Sequence, residues 1–137
     1  MGKVVVAWVS RHKPLKSQIR ELQRLLGHVE VVQINNTFAN VKEVLCEIKG
    51  TGAKVAVVVL PLSMISQLLP LARNEGIDLW MAKMKGLHEC VLEECKEFNQ
   101  DTDVWLPLRG SNKGRHMRFE KFVRIKRVEV VTEELEG

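Results

Sequence analysis

Eight cations crowd the stretch from 109 to 127: Arg109, Lys113, Arg115, Arg118, Lys121, Arg124, Lys126 and Arg127, opposed only by Glu120. Phe119 and Phe122 are interleaved with them, and Gly110 and Gly114 give a flexible lobe. Positive charge on a β-forming sequence with embedded aromatics suits a surface that tracks the phosphates of DNA or RNA. Arg109, Lys113, Arg115, Arg118, Lys121 and Arg124 are the expected nucleic-acid contacts. Alternate residues of a regular strand share a face, which puts Arg118 and Arg124 together and Lys121 on the other side. The same charges would equally serve to blunt an exposed edge strand, or to pair with the acidic segment 89–97 or with Glu133, Glu134 and Glu136.

A second group, Ser10, Arg11, His12 and Lys13, follows the first apolar run and precedes a helix. In open α/β sheets, ligands bind beyond the carboxyl ends of the strands, where strand order reverses, and a helix N-terminus there favours an anion. Ser10, Arg11, Lys13 and Ser63, joined by Lys83 and Lys85, are therefore candidate phosphate or nucleotide ligands. His12 is the candidate catalytic acid or base, because its ordinary pKa lies near neutrality. With it the chain would be a phosphoryl- or nucleotide-processing enzyme, although the sequence identifies no carboxylate to orient the ring. Solvated loop charges would show the same residues.

His88, Cys90 and Cys95 invite a metal reading. Read as one helix, however, 87–98 sets Cys90 and Cys95 roughly 140° apart. Both then fall near an apolar stripe, where free cysteine behaves as a small hydrophobe. There is no CxxC pair, so no metal is expected, and Cys46 is read as core in the same way. No glycine-rich phosphate fingerprint follows the first strand, and no cofactor is expected.

The elements that must position these groups are legible from hydrophobic pattern. Lys54 to Pro61 contains an unbroken Val/Ala/Leu run without alternation, the pattern of a strand covered on both faces. Residues 3–9, 28–34 and 77–81 read as further strands. Helical spacing marks Leu15–Leu26, with Pro14 at its first position, and Val41–Ile48, with Asn40 as its cap; Ser63 is the expected cap of a third helix. Alternation of strands and helices implies a parallel sheet. The expected fold is a mainly parallel α/β three-layer sandwich, flavodoxin-like or Rossmann-like. Residues 104–131 should add a basic β-hairpin or edge-strand appendage to a single domain spanning 1–137. The end Glu133–Gly137 should fray.

Composition bounds the rest. The chain has 137 residues, 45% hydrophobic and 28% charged, with formal net charge +4. No apolar run approaches the roughly 20 residues that span a bilayer, and Met1-Gly2-Lys3 leads directly into a strand, so neither a leader nor a membrane partner is expected. Three irregularly spaced cysteines fit reduced thiols in a cytoplasmic protein. High Val, Lys and Glu usage without Tyr suggests a thermophile. The expected partner is nucleic acid or a nucleotide; a homodimer-forming interaction module is the remaining alternative.

Overall fold

The computed structural model describes residues 2–135. In chain order the elements are β1 (Val4–Val9), α1 (Lys16–Leu26), β2 (Val29–Ile34), α2 (Val41–Thr51), β3 (Val55–Val58), α3 (Leu62–Asn74), β4 (Asp78–Val91), β5 (Asp103–Pro107) and β6 (Lys113–Arg124). A 3-10 turn, Leu92–Glu94, lies between β4 and β5. Met1 and the last two residues of the acidic end, Glu136 and Gly137, lie outside the described residues.

All four residues of β3 are buried, because helices cover the sheet here on both sides. On one side Ala7, Val9, Ala56 and Val58 pack with Val44 and Ile48 of α2 and Ile65 and Leu68 of α3. On the other, Val6, Trp8, Val55 and Val57 pack with Leu22 of α1, and with Trp80 and Phe122. Consecutive residues thus enter opposite cores, which is why the run cannot alternate. The second helix starts as its sequence dictates. Asn40 Oδ1 accepts from the Glu43 amide at 3.1 Å, while the Glu43 carboxylate accepts from the Ala39 amide at 2.9 Å. Pro14 lies outside α1, where the Leu15 amide donates to Gln18 Oε1 at 2.8 Å. Ser63 sits in the first turn of α3 and Pro61 takes the cap position. Among the described residues no helix is long and apolar enough to cross a membrane.

The sheet corrects the expected fold. It has six strands in the order β2-β1-β3-β4-β6-β5 and is mixed. Three pairings, β1–β2, β1–β3 and β3–β4, are parallel; β4–β6 and β5–β6 are antiparallel. The sheet curls into a half-barrel and is neither a mainly parallel three-layer sandwich nor Rossmann-like. The cause lies in 87–98, where the expected helix does not form. β4 instead runs for fourteen residues. Another parallel strand needs a long crossover, whereas short turns deliver antiparallel neighbours. Without a crossover helix after β4, the rest of the chain pairs antiparallel. The basic strand is not at the edge either: β6 lies between β4 and β5, and β5 and β2 are the outer strands.

Candidate functional site: a cation face and a histidine–cysteine cluster

Two irregularities in the β4–β6 ladder decide which side chains share a face. Lys83 pairs with Lys121, but Met84 pairs with Phe119, which leaves Glu120 as an extra residue on β6. Further along, Gly86 pairs with Met117 and His88 with His116, leaving Leu87 extra on β4. Such a bulge shifts the alternation by one residue. The first brings Lys121 onto the same face as Lys85 and its partner Arg118. The second brings His88 and Cys90 onto that face in place of Leu87 and Glu89.

The outer face of the ribbon therefore carries Lys83 opposite Lys121 and, beside them, Lys85 opposite Arg118. The three lysines are exposed, and among the described residues none of them is in an ion pair. Arg124 is not part of this face. It pairs with Trp80 in the ladder and makes an ion pair with Asp78 at 3.2 Å. A regular strand would have joined Arg118 to Arg124 and separated Lys121; the bulge reverses both relations. Arg109, Lys113 and Arg115 are exposed, with Arg115 opposite Glu89. Phe119 and Phe122 do not reach the cation face. Their rings are 4.9 Å apart, and Phe122 stands 6.1 Å from both Trp8 and Trp80 on the α1 side.

The residues after β1 border two clefts. Ser10 and Arg11 line one of about 290 Å³ with Asn36, Thr37 and Pro61, at the carboxyl ends of β1, β2 and β3. Ser10 Oγ accepts from the His12 amide at 3.1 Å, and Arg11 donates to Thr37 Oγ1 at 3.4 Å. Ser10 also lines a second, more apolar cleft of about 400 Å³, together with His12, Lys13, Trp8, Met84 and Trp105. The His12 carbonyl accepts from Trp8 Nε1 at 2.9 Å. Ser63 is exposed on α3 and lines neither cleft, and Lys83 and Lys85 belong to the ribbon face. Ser10 is thus shared by both clefts, Arg11 is parted from His12 and Lys13, and two lysines of the expected strand-end group join the basic strand instead.

At the far end of the ribbon, four side chains converge. His88, Cys90, Cys95 and His116 place one ligand atom each within 4.8 Å of the others. His88 and Cys90 come from β4, Cys95 follows the 3-10 turn, and His116 comes from β6. His88 Nε2 lies 3.3 Å from Cys95 Sγ and 3.4 Å from His116 Nδ1, and Cys95 Sγ lies 3.5 Å from His116 Nδ1. The other nitrogen of His116 donates to Asp103 Oδ2 at 2.6 Å. Both side chains of that pair are completely buried.

Burial would by itself raise the pKa of Asp103. Hydrogen bonds from Arg118, Thr102, His116 and the Asn99 amide outweigh it and hold the carboxyl well below its ordinary range. An ionised Asp103 only accepts, so Nε2 of His116 donates to it and Nδ1 is the ring nitrogen turned to the cluster. Partial burial pushes the Cys90 thiol up to about 11, with the adjacent Cys95 adding to the effect. Cys90 is also held by its backbone. Trp105 Nε1 donates to the Cys90 carbonyl at 3.0 Å, its ring lying over Gly114, where a Cβ would stand 2.3 Å from Trp105 Cε2.

His116 and Asp103 escaped sequence reasoning, and Cys90 and Cys95 were set apart by the helix assigned to 87–98. The available signal was period two: Lys83 and Lys85 alternate with Ala82 and Met84, and His88 and Cys90 stand two apart, as ligands on one face of a strand do. Cys46 lies alone and exposed on α2. No known protein family, curated protein or solved structure matches this chain, so the functional reading rests on the geometry of these side chains.

Proposed function

We propose that this is a nucleic-acid-binding protein of the cytoplasm that holds a phosphate backbone across the outer face of the β4–β6 ribbon. One observation carries the reading: Lys83 faces Lys121 directly, next to Lys85 facing Arg118, and no described acid pairs with the three lysines. Like charges set opposite one another across a ladder destabilise a sheet. A merely solubilising surface gains nothing from that placement. A polyanion removes the repulsion and adds the free energy of counterion release.

Because Phe119 and Phe122 pack on the opposite side, the cation face has no aromatic platform from these residues. Recognition then rests on phosphates, which position a nucleic acid without reporting its sequence. Arg118 is already engaged with Asp103 at 2.7 and 3.0 Å, so Lys83, Lys85 and Lys121 are the working contacts.

Fluorescence anisotropy with labelled single strands and duplexes of random sequence tests this. The unaltered chain is expected to bind at low salt, and the Lys83→Glu, Lys121→Glu variant to lose binding while keeping its circular dichroism spectrum. Absence of binding at low salt, or binding untouched by the double reversal, would contradict it.

A further inference from the structure

We propose that His88, Cys90, Cys95 and His116 bind one zinc ion in a closed, structural, four-coordinate site that pins the far end of the antiparallel ribbon.

The ligand atoms stand at the spacing a tetrahedron requires. With Zn–N of about 2.0–2.1 Å and Zn–S of about 2.3 Å, tetrahedral edges are about 3.4 Å between nitrogens and about 3.5 Å between nitrogen and sulfur. The triangle of His88 Nε2, Cys95 Sγ and His116 Nδ1 has edges of 3.3, 3.5 and 3.4 Å. Cys90 Sγ, within 4.8 Å of the other three, supplies the fourth vertex.

A second set of contacts points the same way. Each imidazole turns one nitrogen to the cluster and the other to a carboxylate: His116 Nε2 to Asp103 at 2.6 Å, and His88 Nδ1 to Glu97 at 3.8 Å. A hydrogen-bonded outer carboxylate such as Asp103 fixes the tautomer and orientation of a metal-bound histidine, whereas Glu97 lies beyond hydrogen-bond distance of His88 and contributes only nearby negative charge.

Donor chemistry selects the ion. Two thiolates and two imidazoles suit zinc, whereas magnesium and calcium take oxygen ligands. Binding expels the two thiol protons to solvent and leaves a complex with no net charge. With all four positions filled by protein, no place remains for an activated water, so the site is structural.

The fold also has a use for such a tie. Among the described residues, no hydrophobic side chain beyond Trp80 belongs to the fully buried core. A metal can replace missing core in so thin a region.

The test uses the full chain, stripped of metal by a chelator under reducing conditions and titrated with cobalt(II). One equivalent is expected to give the visible bands of tetrahedral cobalt together with thiolate-to-cobalt charge transfer, and one equivalent of zinc should displace it. Cys95→Ser is expected to lower the charge-transfer intensity by about half or more, and Cys46→Ser to match the unaltered chain. Should Cys95→Ser fail to fold, native mass spectrometry of the unaltered chain decides: a gain of one zinc less two protons supports the site, and no bound zinc overturns it. A charge-transfer spectrum that persists in the Cys90→Ser, Cys95→Ser double variant also overturns it.

Discussion

His116 is held from both sides: Nε2 donates to Asp103 Oδ2 at 2.6 Å, and Nδ1 lies 3.5 Å from Cys95 Sγ. Asp103 also accepts from Arg118 at 2.7 and 3.0 Å, so one buried carboxylate orients a cluster histidine and an arginine of the cation face. The two features of the ribbon therefore share a support, and substitutions can tell support from function.

Replacing that support is the first prediction. Asp103→Asn removes the charge from the network while nearly preserving shape. It should weaken cobalt binding by about 10–100-fold and lower unfolding free energy by about 1–3 kcal/mol. Cobalt titration and urea denaturation measure the two effects; unchanged affinity would show that Asp103 does not orient His116 for a metal.

Two glycines of the ribbon should respond differently to a methyl group. A Cβ at Gly114 would stand 2.3 Å from the Trp105 ring, while one at Gly86 meets nothing within 4 Å. Gly114→Ala should destabilise the fold by about 1–3 kcal/mol through overpacking. Gly86→Ala should be neutral or stabilising by up to about 1 kcal/mol, because the unfolded chain loses freedom. Urea midpoints of both variants check this, and equal effects would contradict the clamp of Trp105 over Gly114.

Arg118 and Lys121 lie on one face but do different work. Arg118→Ala leaves the buried Asp103 without its arginine and should destabilise the protein by about 1–3 kcal/mol. Lys121→Ala removes an exposed charge with no ion-pair partner among the described residues and should change stability by no more than about 0.5 kcal/mol while weakening nucleic-acid binding. Thermal melts and anisotropy on the same preparations distinguish the two. Destabilisation by Lys121→Ala would mean that its ammonium has a structural partner.

The aromatics packed on the α1 side should matter for folding alone. Phe122→Leu, on the Trp8 and Trp80 side, should cost up to about 1.5 kcal/mol and leave nucleic-acid affinity unchanged. A marked loss of affinity at unchanged stability would place an aromatic contact in the binding surface.

The parallel half was legible because its signals are local. The Val55–Val58 run and the Asn40–Glu43 cap each specify their element within a few residues. The antiparallel half was not, because its outcome depends on pairing. Leu87, Cys90, Val91, Cys95 and Phe98 satisfy a helical spacing, but β4 continues through Val91 and finds β6 as its partner. The faces were harder still: the extra residues Glu120 and Leu87 reverse the alternation, and nothing in either residue type announces a bulge. Hence the basic cluster was visible in sequence, whereas the pairing of Arg118 with Asp103 and Arg124 with Asp78, which sets them apart from the exposed lysines, was not. Asp103, the partner that commits Arg118, drew no notice because it lies fifteen residues away.

The most direct measurement is the salt dependence of binding for the unaltered chain and for Lys121→Ala. The slope of log K against log salt is negative, and each phosphate contact steepens it by about 0.7 to 0.9, depending on whether the strand is single or paired. Lys121→Ala should flatten the slope by that amount, with Lys83→Ala doing the same and random sequences behaving alike. A slope near zero for the unaltered chain, or one identical in both lysine variants and the unaltered chain, would contradict the assignment of the β4–β6 face as a phosphate-binding surface.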